Sequence, residues 1–170
     1  MRMLEVGCGT GQNLNTFLRE GFRVFAVDID LDAVLTARSL VPELKSGFGP
    51  FFAVADAGRL PFREGNFDKL ICIDLLHWAG DEKEFATWFR ELWQTLGPEG
   101  ILCARFRCRD KGPARFPEAQ TGEKAGWFLA EPRWVERLVR ELKGEWLEPW
   151  KETPLKGGGM QGSMSVRRKS

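Results

Sequence analysis

At 170 residues the chain has room for one substantial hydrophobic core and not for two, so a single domain over residues 1–170 is expected. A hydrophobic fraction of 43% fits an ordinary folded protein, and a net charge of +1 speaks against a nucleic-acid-coating role. No apolar run approaches the roughly 20 residues that cross a bilayer, and residues 1–6 show no signal-peptide pattern, so a cytoplasmic protein without a membrane partner is expected.

Residues 3–6 read as a short buried strand that runs straight into Gly7-Cys8-Gly9-Thr10-Gly11. Leu14, Phe17 and Leu18 recur at helical spacing across residues 12–20, and Gly21 is placed to stop that helix. A second strand over 23–27 ends at Asp28. Asp30 then caps a helix with Ala33, Val34 and Ala37 on its apolar face, ending before Pro42. A third strand over 51–55 ends at Asp56, and the connection through Pro61 and Gly65-Asn66 reads as loop. A fourth strand over 67–73 ends at Asp74. Residues 81–96 carry the strongest helical pattern, with Phe85, Trp88, Phe89, Leu92 and Leu96 on one face. Gly97-Pro98 stops that helix ahead of a fifth strand over 101–106, and residues 107–126 read as a Gly-, Pro- and charge-rich loop. An amphipathic helix over 132–142 presents Trp134, Val135, Leu138, Val139 and Leu142. Two closing strands follow, 145–150 and 163–168, joined through Gly157-Gly158-Gly159. Strands alternating with helices favour a parallel sheet covered on its faces.

The chemistry concentrates where strands end. Ligands of open α/β sheets sit outside the carboxyl ends of the strands, and glycines there let the backbone approach a ligand with no Cβ in the way. Asp28, ending the second strand, is placed to accept from both hydroxyls of a ribose. Asp56, ending the third, can reach the amino group of an adenine. The glycines are spaced G-x-G-x-G, with Gln12 where a dinucleotide fingerprint needs its third glycine, and no Gly-Lys-Ser/Thr of a phosphate loop follows. Glu5, Asp28, Asp56 and Asp74 surround the turn, which suits a positively charged cofactor better than a pyrophosphate.

Plainer readings stand beside these. Asp28 and Asp30 can cap the following helix, and Asp56 can form a turn before Gly58. His77, the single histidine, can be structural. The basic run Arg105, Arg107, Arg109, Lys111 and Arg115 is either a solvated loop or the landing edge of an anionic substrate. Cys8, Cys72, Cys103 and Cys108 contain no C-x-x-C pair, so reduced packing thiols are expected and a metal site is not.

Four segments in order carry a family resemblance. LEVGCGTGQN at 4–13 resembles motif I of the class I S-adenosylmethionine-dependent methyltransferases, and VFAVDID at 24–30 resembles their second motif. ADAGRLPFREGNFDKLICIDLLHW at 55–78 is similar to the D-A-x-x-L-P-F signature of their small-molecule subgroup, and ELWQTLGPEGIL at 91–102 to the turn before their fifth strand. The resemblance implies a Rossmann-like α/β fold: a doubly wound seven-stranded sheet of order 3-2-1-4-5-7-6, mostly parallel with an antiparallel last strand. It implies S-adenosyl-L-methionine as cofactor and S-adenosyl-L-homocysteine as product.

Carried over by position, Glu5 and the backbone of Gly7, Gly9 and Gly11 would hold the methionine moiety. Asp28 would bind the ribose, Ile29 would pack on the adenine, and Asp56 with the Ala57 amide would read the adenine edge. Asp74 would lie near the sulfonium and amino end, and Asp74 and His77 are the candidate catalytic residues. The acceptor is expected to be a small molecule: there is no Asp/Asn-Pro-Pro-Tyr/Phe sequence and no Pro-Cys pair after the fourth strand. Trp78 and Trp127 are the candidates for contact with it. Family members usually carry helices ahead of strand one that cover the site, whereas this sequence opens on strand one. Cover is therefore expected from residues 107–128, from the closing hairpin, or from a second copy in a homo-oligomer. The alternative is a non-catalytic S-adenosylmethionine-binding module or a subunit of a larger assembly.

Overall fold

The structure, a computed structural model, describes residues 1–40, 51–109, 127–156 and 159–169. Its strands are β1 (Arg2–Val6), β2 (Arg23–Asp28), β3 (Phe51–Val54), β4 (Phe67–Ile73), β5 (Leu96–Cys108), β6 (Gly144–Pro154) and β7 (Met160–Arg168). They form one sheet in the order β3-β2-β1-β4-β5-β7-β6. The first five run parallel, and β7 lies antiparallel between β5 and β6. This is the Rossmann-like α/β topology expected from the sequence, with the antiparallel strand in its expected place.

Helices α1 (Leu14–Arg19) and α2 (Leu31–Leu40) cover one face, where Leu14 and Ala37 meet Cys8, Val24 and Ala26. Helices α3 (Glu82–Thr95) and α4 (Pro132–Glu141) cover the other. There Phe85, Phe89, Leu92, Val135 and Val139 join Leu4, Val6, Leu70, Leu102 and Val166 in the larger core. Strand periodicity of two sends Leu4 and Val6 to that core and turns Glu5 to the α1 side. No helix runs between β3 and β4, as the loop reading of residues 55–66 expects.

Local chemistry sets the boundaries. Asp30 caps α2, its Oδ1 accepting from the N–H of Asp32 at 2.8 Å, and Asp81 caps α3 by accepting from Glu84 at 2.8 Å. Gly21 ends α1 in a left-handed conformation (φ 80°), with its N–H on Leu18 and that of Phe22 on Phe17, the paired bonds of a Schellman motif. Helix α1 is shorter than residues 12–20 because Asn13, at its N-cap, gives its side chain to Glu5 instead of to the helix.

Two other expectations are corrected. Strand β5 reaches Leu96 and Cys108 instead of spanning 101–106: Leu96 pairs with Phe67 ahead of a register shift, and 101–108 pair with β7 throughout. The closing strands extend well beyond 145–150 and 163–168, because Gly162 leaves room for the Trp150 ring to lie across β7, where a Cβ would meet it at 2.0 Å. On α3 the expected apolar residues Phe85, Phe89 and Leu92 are buried and Trp88 packs half-buried against the same core, which Trp93 joins as a buried member. Pro42, Gly157 and Gly158 lie outside the described residues. No helix among the described residues is long and apolar enough to cross a membrane.

Candidate cofactor cleft

The turn after β1 is built from three left-handed glycines, with φ of 76° at Gly7, 49° at Gly9 and 86° at Gly11. They are not equivalent. A Cβ on Gly7 would press on Leu75 at 3.2 Å, and one on Gly11 would meet Ala37 and Leu14 at 3.1 Å. A Cβ on Gly9 would have nothing within 4 Å. Gly7 and Gly11 therefore let the turn close onto the fold, while Gly9 faces open space.

The N–H groups of Gly7 and Cys8 both donate to Val27 O, at 2.9 and 3.1 Å, which ties the turn to the end of β2. The Gly9 N–H donates to Asp28 Oδ2 at 2.8 Å, and the Asp30 N–H to Asp28 Oδ1 at 3.0 Å. Asp28 thus orders both its own turn and the glycine turn, and each oxygen keeps acceptor capacity for a ligand hydroxyl.

A narrow cleft runs beside this turn, lined by Val6, Gly7, Asp28, Ile29, Ala55, Asp56, Ala57, Leu75 and Trp88. It lies at the carboxyl ends of β1, β2 and β3, where the fold places ligands. It brings together Gly7, Asp28, Ile29, Asp56 and Ala57 from the sequence-based set, and adds Leu75 and Trp88. Ile29 is two-thirds exposed, an apolar side chain left for something to cover. Asp56 Oδ1 accepts from the Gly58 N–H at 2.6 Å, so Asp56 forms the turn that its plainer reading describes while lining the cleft. The enclosed part is small, about 40 Å³, and a nucleoside would lie across the open groove above it. A larger hollow of about 410 Å³, between α4 and β6, is bounded by Glu136, Arg140, Trp146 and Trp150, away from these strand ends.

Glu5 does not line the cleft. It lies beneath the glycine turn with 1% of its surface exposed. Asn13 donates to its Oε1 at 2.8 Å, and Oε2 is buried with no hydrogen-bond partner among the described residues. Burial, opposed by the Asn13 bond, lifts its carboxyl from the usual 4.5 to about 7. An acid with one oxygen lacking a donor, beneath a turn that faces open space, fits a ligand with a cationic end.

Asp74 and His77 stand on the β4 side of the turn. Asp74 has a left-handed backbone (φ 56°), its carboxylate accepts from Arg105 at 2.7 Å and from Gln161 at 2.9 Å, and its N–H donates to Arg105 O at 2.7 Å. Two side chains on β5 and β7 therefore fix the carboxylate at the end of β4. His77 is buried with its Nδ1 accepting from the Arg107 N–H at 3.4 Å. Burial first, and then the Arg107 charge, push its pKa down to about 4 against the pull of Asp74, so the imidazole is neutral at pH 7.

Trp78 and Trp127 meet edge to face at 5.2 Å beside His77, and Trp78 Nε1 donates to Asp74 O at 3.1 Å. Trp78 stays half-exposed. The described part of the basic run, which begins within β5, is engaged: Arg105 pairs with Asp74, Arg109 pairs with Glu131 at 2.9 Å, and Arg107 lies over the Trp127 ring at 4.5 Å. Lys111, Arg115 and all of 110–126, hence most of the expected cover at 107–128, lie outside the described residues.

Sequence reasoning missed Trp88, Leu75 and Gln161. Trp88 shares the i, i+3, i+4 spacing of the core face, which hides its position at the rim of the stripe. Gln161 reaches Asp74 across 87 positions of sequence, and local pattern carries no signal of that.

Comparison with known proteins agrees with this geometry. Residues 4–104 match the family described as "Methyltransferase domain". The Bacillus subtilis (strain 168) protein YqeM, which carries a methyltransferase name, is 27% identical over 119 residues, 69% of this chain and 47% of its own length. The chain thus spans about half the length of that relative. An S-adenosylmethionine-dependent methyltransferase from Methanosarcina mazei has the same fold, with a TM-score of 0.79 at 20% identity over 99% of this chain and 92% of its own. The magnesium protoporphyrin IX methyltransferase of Synechocystis PCC 6803, solved with S-adenosylmethionine bound, gives 0.74 at 17% identity over 98% and 69%.

Proposed function

Because this chain belongs to the methyltransferase-domain family of S-adenosylmethionine-dependent enzymes, we propose that it transfers a methyl group from that cofactor to a small-molecule acceptor. The observation that carries the reading is the acid-lined cleft at Gly7, Asp28 and Asp56, whose wall includes Leu75, the chain neighbour of Asp74. In this reading Asp28 takes the ribose hydroxyls, Ile29 and Ala57 flank the adenine, Asp56 and the Ala57 N–H read its edge, and the turn of Gly7, Gly9 and Gly11, with Glu5 buried beneath it, carries the methionine end.

The bound cofactor supplies an electrophilic methyl on a sulfonium, with a neutral thioether as leaving group. The protein's part is then placement: holding an acceptor atom in line at about 3 Å from the methyl and keeping water out. Asp74 is held in place by Arg105 and Gln161 at the edge where an acceptor would enter. Trp78, half-exposed and packed edge to face against Trp127, offers a ring face to a small organic acceptor. Asp74 or neutral His77 takes a proton only for an acceptor that must lose one. The domain over 1–170 serves as the cofactor-binding unit, with a second copy as a possible source of cover.

Calorimetric titration with S-adenosylmethionine, S-adenosylhomocysteine and NADPH tests the cofactor assignment: the first two bind and the third does not. Turnover of methyl-labelled cofactor against a metabolite panel tests the acceptor class. Binding without turnover on any small molecule, with turnover on a protein or RNA, would replace the small-molecule reading.

A further inference from the structure

A buried carboxyl with one oxygen bonded and the other bare is an unfinished arrangement. Glu5 Oε1 takes the Asn13 amide at 2.8 Å, while Oε2 is sealed from solvent without a partner. Asn13 follows the glycine turn by two residues and stands at the N-cap of α1 with no capping bond of its own, so its amide is committed to drawing Glu5 under the turn. Above that turn, Gly9 leaves open the space that a side chain would fill.

We propose that Glu5 and Asn13 form a proton-coupled cofactor clasp, in which Glu5 carries a proton on its bare oxygen in the free protein and releases it when the cofactor's cationic amino end settles over the turn. The O–H bond of the carboxyl breaks, the proton passes to solvent, and the resulting carboxylate faces the ammonium, which keeps its own protons. Asn13 acts as the positioning residue: it donates to one oxygen in both states and leaves the other to face the ligand. This rests on the reading of the turn as the cofactor cradle.

The surroundings favour the exchange. The titratable groups that feel Glu5 are two thiols, Cys8 in the turn and Cys72 on β4, and each also feels an aspartate, Asp28 for Cys8 and Asp74 for Cys72. Burial pushes the Cys8 thiol up to about 12 and that of Cys72 further, each with help from Glu5 and a neighbouring aspartate, so both stay neutral. Burial outweighs the Asn13 bond and holds Glu5 largely protonated below about 7. A positive charge brought alongside reverses that balance, since a cation within about 4–6 Å favours the carboxylate.

The experiment is calorimetry of the whole chain with S-adenosylhomocysteine, in buffer pairs of differing ionisation heat, between about pH 5.5 and 8. Near pH 6 close to one proton is expected to leave per ligand bound, falling towards none near pH 8. Affinity rises up to about tenfold per pH unit below 7 and then levels. Glu5→Gln should release no proton and show a flat profile, and Asn13→Ala should keep the release but move its midpoint to higher pH. Binding at pH 6 with no proton released, or the same pH slope in Glu5→Gln, overturns the clasp and leaves the cofactor site standing. If S-adenosylhomocysteine fails to bind at every pH, cradle and clasp fall together. The proton count of the unaltered protein decides the matter even if a variant does not fold.

Discussion

The backbone N–H of Gly9 points at Oδ2 of Asp28, 2.8 Å away, so the residue at the tip of the turn is held by the residue that ends the neighbouring strand. One side chain therefore serves a structural bond and, by the proposed reading, a ligand bond.

Replacing Asp28 tests both. Asp28→Ala should weaken S-adenosylhomocysteine binding by about 1–3 kcal/mol through lost ribose bonds and a loosened turn. Asp28→Asn keeps one oxygen for the Gly9 N–H and should lose less. Equal affinity in all three proteins by calorimetry would remove Asp28 from the ribose.

Gly9→Val should leave the domain folded while abolishing cofactor binding. No atom lies within 4 Å of its Cβ position, so the fold has only the left-handed backbone to resist, at roughly 1–2 kcal/mol. Circular dichroism of the variant should match the parent, and a retained affinity would show that nothing approaches the turn there.

How much of this was legible in the sequence follows from what each feature depends on. Asp28, Asp30, Asp56 and Asp74 end strands or open helices, and local pattern located all four. The glycines were legible as a turn, but the division between Gly7 and Gly11, which touch neighbours, and Gly9, which does not, needed Leu75, Ala37 and Leu14 in space. The closing hairpin was read short because glycine is a poor strand former, whereas Gly162 belongs to β7 to accommodate Trp150. Trp88 and Trp93 carry the same residue type on the same helix, and only the packed neighbours separate core from cleft rim.

Two buried groups give the free protein an unusual pH response. Folding holds His77 down at about 4, so its share of stability is complete above 6.5 and is lost as pH falls through 4. Folding holds Glu5 up at about 7, so its share is complete below 4.5 and is lost as pH rises through 7. Between 4.5 and 6.5 the two slopes oppose and nearly cancel. Single variants should expose them. Glu5→Gln should become more stable with rising pH across that window and His77→Phe less stable, each by up to about 1.4 kcal/mol per pH unit. Urea midpoints measured from about pH 4.5 to 7 check the sign of each slope.

Arg168 should matter more than its position on the last strand suggests. Its guanidinium Nη1 donates to Trp93 O at 3.2 Å and Gln94 O at 3.1 Å, and also to Leu96 O, adding a charged donor at the end of α3, where Trp93 O and Gln94 O also accept from the N–H groups of Leu96 and Gly65. Arg168→Ala should cost about 1–3 kcal/mol in urea unfolding, and Arg168→Lys should recover part of it, because the three contacts converge on the one nitrogen Nη1, which an ammonium can stand in for. An unchanged midpoint in Arg168→Ala would make the contact ornamental.

The place of β7 between β5 and β6 has a consequence for the newborn chain. On the ribosome β6 emerges before β7, yet it has no partner in the finished sheet except β7. Until residues 160–168 leave the exit tunnel, β5 presents an unpaired edge, and β6 with Trp146 and Trp150 has nothing to zip onto. Such open edges invite pairing with other nascent chains. Strand β7, made after both of the strands it joins, is thus the keystone of the sheet, and the time it takes to emerge decides how long two sticky edges wait for it.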